Sequence, residues 1–409
     1  MGYACACPVK FVPELYFKYY MLLNRYVRVT ILIILLVSTI TTAVRATTGP
    51  APGTVAADTA AAVPGEPAAY KSNKFILPFV SYTPETSLMA GGVVVYQFKP
   101  GRAARADIET RSSQIITSAI YTLNRQFLVE FHPNILTQNE RWILDGSHYY
   151  AFFPDRYWGV GPYSRSADEM DVEYRLLQFE QAFLRKVAPN LHVGPLVRWS
   201  RLSQLKLTGP DGDPVPAERI VTEEESTLPG VGFSVRRDMR NSITWPTENY
   251  YVDVSTLYYP AMLGATHPHA SWLMDARAYF DMRGDGSSVL AFQIRTRMTE
   301  GRLPFQEFSM LGGQEILRGY HQGRFRDANA VQVQAELRQH VYWRFGITVF
   351  AATGEVWNRF EDFSMDNAKF AAGAGLRFDV NPGDTSNMRI DYGIGRHGSG
   401  LYITIGEAF

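Results

Sequence analysis

The residues able to do chemistry in this 409-residue chain are few. His267-Pro268-His269 offers two imidazoles beside a turn proline, but no third ligand lies nearby, so a loop is the better reading than a metal site. Ser147-His148 lacks the base and orienter spacing that a hydrolase needs. Neither catalysis nor a cofactor is expected. Arg318 is more informative. It stands between Leu317 and Gly319, in a long segment that ends where an acidic residue, Glu336, begins to alternate with apolar neighbours. A guanidinium folded away from water needs a carboxylate, and removing that partner is costly. The pattern therefore predicts that Arg318 latches onto Glu336; a solvated loop arginine is the alternative. Arg102, Arg105, Arg295, Arg297, Arg324 and Arg326 form further basic groups, expected to pair with Asp275, Asp281 and Glu336. Anion selectivity or lipopolysaccharide contact is the sharper reading.

The elements that would position these groups alternate with period two. Gln332, Gln334, Glu336 and Arg338 interleave with Val331, Val333, Ala335 and Leu337; Arg389, Asp391, Gly393 and Gly395 interleave with Met388, Ile390, Tyr392 and Ile394. Successive strand side chains face opposite ways, so one face is apolar while the other carries opposite charges and glycines. A β-sandwich shares the pattern, but segment after segment of mixed charge and glycine suits a water-lined barrel interior better. Aromatic residues make up 13% of the chain, and the one long apolar run is Val29–Val44. That excludes a bundle of membrane helices and fits a barrel with aromatic rims. About sixteen strands are predicted, the last spanning 401–409, with Leu401, Ile403, Ile405 and Phe409 on the lipid face. Tight turns such as Arg283–Gly286 contrast with long loops at 153–171, 204–228 and 298–328, as expected for periplasmic and external ends.

Three segments follow. Residues 1–46 read as a cleaved secretory signal ending Val44-Arg45-Ala46, with 1–20 an overlong start if Met21 is used; a retained anchor is the alternative. Residues 47–72, rich in Ala, Pro, Gly and Thr, read as a flexible linker, and 73–409 as the barrel. Both cysteines, Cys5 and Cys7, precede the apolar run, so the predicted barrel has no thiol or disulfide. With 40 basic and 40 acidic residues, nothing points to nucleic acid.

The segment Gly312-Gly313 followed by Leu317-Arg318-Gly319-Tyr320 closely resembles the lumen-inserted loop of the BamA/TamA outer-membrane assembly family, also called the bacterial surface antigen family. Glu336-Leu337-Arg338, Phe350 with Gly354, Gly373–Arg377, the run Tyr157-Trp158-Gly159-Val160-Gly161 and the aromatic terminus at Phe409 fit the same resemblance. It implies an all-β transmembrane antiparallel barrel in the bacterial outer membrane. It also implies that Phe409 serves as a C-terminal assembly signal. Implied partners are outer-membrane lipids and lipopolysaccharide, the assembly machinery during biogenesis, and unfolded outer-membrane proteins or lipids as clients. The chain departs from the family at Ala352, where an acidic residue is expected; Asp391 or Asp379 would compensate. The family's repeated periplasmic domains have no counterpart in 47–72. Two functions stay open: protein or lipid insertion and transport, or a structural or channel-forming barrel without client handling.

Overall fold

The computed structural model describes residues 72–99, 110–216, 223–381, 386–396 and 398–409. The expected export signal (1–46), nearly all of the linker, and Arg102 and Arg105 lie outside the described residues. The strands are β1 (Asn73–Thr83), β2 (Ser87–Phe98), β3 (Ser113–Thr122), β4 (Phe127–Leu136), β5 (Trp142–Tyr157), β6 (Met170–Ala188), β7 (Leu191–Thr208), β8 (Ser226–Asp238) and β9 (Asn249–Tyr259). They continue as β10 (His269–Asp281), β11 (Ser288–Gly301), β12 (Ser309–Leu311), β13 (Phe325–Asp327), β14 (Asn329–Tyr342), β15 (Phe345–Trp357), β16 (Lys369–Asn381), β17 (Ser386–Gly395) and β18 (Gly398–Ile405).

Sixteen of them form one closed antiparallel barrel, each strand beside its chain neighbour, with β11 beside β14 and β18 beside β1. The short β12 and β13 pair with each other inside the long β11–β14 connection, where the sequence shows no alternation that predicts strands. Closure pairs nearly all of the strand edges that lipid could not satisfy, the β1–β18 join being the sparse one. The alternation sorts the faces. On β14, Gln334, Glu336 and Arg338 are buried while Val333 and Leu337 are exposed to the lipid side.

Two expectations about boundaries need correction. β5 runs past Pro154 to Tyr157 and pairs with β6 up to Met170. A proline reads as a strand stop in sequence, but the inward Tyr157 and Val172 pack with Leu207 and Phe305, which holds the hairpin together beyond it. β18 stops at Ile405 rather than Phe409. Gly406 takes a left-handed φ of 88° and breaks the extended run. Phe409 is therefore not on the lipid face; it is buried against Tyr279, their ring centroids 6.1 Å apart.

Candidate functional site: a loop latched inside the barrel

The β11–β14 connection folds back into the barrel. Leu317 (φ 55°) and Gly319 (φ 113°) turn the backbone sharply around Arg318. Space for this comes from β17: a Cβ on Gly393 would lie 2.3 Å from the Arg318 carbonyl oxygen, and one on Gly395 would strike the Tyr320 ring. The glycines that alternate along β17 thus let the loop backbone touch the sheet. Leu317, Ile316 and Tyr320 then bury themselves against Ala330, Ala352, Val356 and Ala371. The acidic residue missing at Ala352 is replaced by apolar packing.

Arg318 and Glu336 side chains are both 0% exposed. Arg318 Nη2 lies 2.6 Å from Glu336 Oε2, and Nη1 lies 2.5 Å from Asp391 Oδ2. The guanidinium does not grip one carboxylate with both nitrogens; it bridges two. Its Cζ sits 3.5 Å from the centroid of Phe350, so an aromatic face covers it. The Gly319 N–H donates to the Tyr402 hydroxyl at 3.0 Å, tying the turn to the last strand. Asp379, the other proposed compensating acid, lines a cavity of about 350 Å³ at the opposite mouth with Arg344 and does not meet Arg318.

The pair is one part of a larger cluster. Glu336 also receives Arg338 Nε at 2.9 Å and Arg377 Nη2 at 3.4 Å. Asp391 receives Arg377 Nη1 at 2.5 Å and Arg389 Nη1 at 3.4 Å. Arg377 Nε and Arg338 Nε reach Glu407 at 2.9 and 3.5 Å. Arg338 donates from Nη2 to the Phe409 carbonyl at 3.0 Å, and its Cζ stands 5.1 Å from that ring. These contacts explain why the C-terminal residues turn inward: once Gly406 releases the strand, Glu407 and Phe409 find buried cations in the lumen.

The other arginines do not pair as their sequence positions suggested. Asp275 is taken by its own strand neighbour Arg277, and Asp281 accepts the turn amides of Arg283, Gly284 and Gly286. Arg295 meets Glu315. Arg297 pairs with Glu307, a buried carboxylate on the loop itself. Arg324 lies over Trp158 and Phe325, and Arg326 over Tyr157 and Phe305. Burial in these aromatic surroundings pushes both guanidinium groups below their ordinary pKa. Gly161 N–H donates to the Arg326 carbonyl at 2.8 Å, so the run Tyr157–Gly161 packs on the inserted loop. His269 stacks on Tyr259 at 4.2 Å. Ser147 and His148 fall on opposite faces of β5, with the imidazole between the outward rings of Phe131 and Phe179.

Sequence reasoning missed Phe350 as the lid on Arg318, Tyr402 as acceptor for Gly319, and Glu307. The strand parity of Phe350 and Tyr402 was the available signal, since both fall on the small-residue face. Glu307 sits outside any strand, so no periodicity marked it.

A closed antiparallel barrel with apolar strand faces outward and an ionic lumen defines an outer-membrane β-barrel protein. The Omp85 superfamily domain matches residues 105–409, and the chain belongs to that superfamily. Solved structures with the same fold include BamA of Haemophilus ducreyi lacking POTRA domains 1–3, at TM-score 0.55 and 12% identity, covering 82% of this chain and 70% of that one. CdiB of Escherichia coli aligns at TM-score 0.51 and 11% identity over 84% of this chain. CdiB of Acinetobacter baumannii does so at TM-score 0.50 and 11% identity over 83%. The alignments span 64% and 60% of the two CdiB chains respectively. No curated protein matches the sequence.

Proposed function

We propose that this barrel inserts or transports protein or lipid clients at the outer membrane, and that it does so at the seam between β1 and β18. One observation carries the reading. β18 pairs with β17 without interruption from Met388 opposite Ile405 to Gly395 opposite Gly398, whereas a single register pair, Tyr82 opposite Ile403, joins it to β1. β1 pairs with β2 from Asn73 to Thr83, so its seam edge runs on past the end of β18. Unpaired strand edges template added strands, and a barrel opening there would offer lipid and strand partners at once. A channel is less well supported, because the latched loop crosses the lumen.

Clients would be unfolded outer-membrane proteins or lipids, with lipopolysaccharide and the assembly machinery as partners during biogenesis. Residues 1–46 would act as the export signal, 47–72 as a linker, and Phe409 as part of the assembly signal; mass spectrometry of the mature chain should find Thr47 first. The test of function is depletion followed by proteomic and lipid analysis of the outer membrane. Loss of several other barrels, or altered lipids, is expected; an unchanged membrane would favour a structural barrel.

A further inference from the structure

We propose that Glu307 is a second anchor of the inserted loop, opposite in charge to Arg318 and acting on a different arm. Glu307 lies in the turn Phe305–Glu307, eleven residues before Arg318, and is 1% exposed. A buried carboxylate on a loop needs cations from the wall, and three basic groups surround this one. Arg297 of β11 donates to it directly, Arg198 Nη1 of β7 stands 3.8 Å away, and His269 Nε2 of β10 stands 3.7 Å away. Burial alone would raise this carboxyl's pKa; Arg297, Arg198 and His269 outweigh that and hold it well below the usual carboxylate range.

The two anchors share no partner. Glu307 uses β7, β10 and β11; Arg318 uses β14 and β17. Their apolar supports also differ. Phe305 packs with Tyr157, Val172 and Leu202, and Gln306 exchanges hydrogen bonds with Ser226 of β8. Leu317 and Tyr320 pack in a separate cluster under β14 to β16. The anion on the first arm is met by Arg297, Arg198 and His269, and the cation on the second by Glu336 and Asp391. Each anchor therefore holds its own arm through its own partners. Each arm can also be released while the other stays held. This holds whatever the barrel's clients are.

The test uses the full chain in detergent, with Cys5 and Cys7 replaced by Ser and a single cysteine at Ser309 or at Ile316. Both positions are buried, one on each arm. Maleimide labelling should be slow at both. Glu307→Gln should speed labelling of S309C by roughly tenfold or more, as expected when a buried ion pair loses a partner, and leave I316C near its starting rate. Arg318→Gln should do the converse. Should E307Q not fold, by loss of heat-modifiable migration, Arg297→Gln breaks the same pair from the wall and is read identically. Protection of S309C in a folded E307Q or R297Q barrel overturns the proposal. So does equal release of both arms by each single variant, which would mean one anchoring unit rather than two.

Discussion

The two flanks of β18 are built on opposite plans. Towards β17 the strand is zipped along its length, and behind that pairing lie Arg318, Arg377, Arg389 and Asp391 in a dry ionic cluster. Towards β1 it has one register pair, helped by the Ser81 hydroxyl donating to the Ile403 carbonyl. The same strand is thus fully paired on the side of the ionic cluster and, among the described strands, one lip of the most sparsely paired join. Bracing and weakness are complementary. A barrel whose edge pairing is sparse keeps its shape only if something else holds the flanking strands, and here the inserted loop does so through Arg318 and through Gly319 on Tyr402.

Breaking the brace should have the largest effect. Arg318→Ala leaves Glu336 and Asp391 facing each other's charge with fewer cations between them, and should cost about 3–5 kcal/mol of barrel stability in urea followed by heat-modifiable migration. Glu336→Ala should cost a similar amount, because it withdraws a carboxylate from Arg338 and Arg377 as well as from Arg318, which Asp391 still holds. The double variant should fall short of the sum. Full additivity would mean the two residues do not share an interaction.

A steric change tests the same brace without touching charge. Gly393→Ala places a Cβ against the Arg318 backbone and should destabilise by about 1–3 kcal/mol, the usual range for overpacking. Gly92 has open space around the position of a Cβ, and Ala there should be close to neutral by comparison. Equal costs at both positions would mean that the loop does not rest on Gly393. Smaller still is the expected effect of Phe409→Ala. It removes a ring packed on Tyr279 and Arg338 but keeps the backbone carbonyl that Arg338 uses, so barrel stability should fall by less than in Arg318→Ala. Outer-membrane levels should fall as well if Phe409 belongs to the assembly signal; normal levels would separate the two roles.

Most of the barrel was legible because alternation is a local property: Glu336 could be aimed inward from its neighbours alone. A second acid could be named, as Asp391 or Asp379, but the choice between them could not, since Asp391 is 73 residues from Arg318 and its approach depends on strand order around the closed ring. The inward tail was misread because parity assumes unbroken extension, and one left-handed glycine, Gly406, cancels it. Glu307 was invisible for a related reason. It acts from an irregular turn, and only the folded loop brings it to Arg297 and Arg198.

The proposed function requires the β1–β18 seam to open. Cysteines at Tyr82 and Ile403, directly opposite across the antiparallel pair, are placed to form a disulfide. With the native protein replaced by this variant, oxidation should lower the outer-membrane content of other barrels or change its lipids, and reductant should restore it. A fully oxidised, correctly folded barrel that sustains a normal outer membrane would contradict the account.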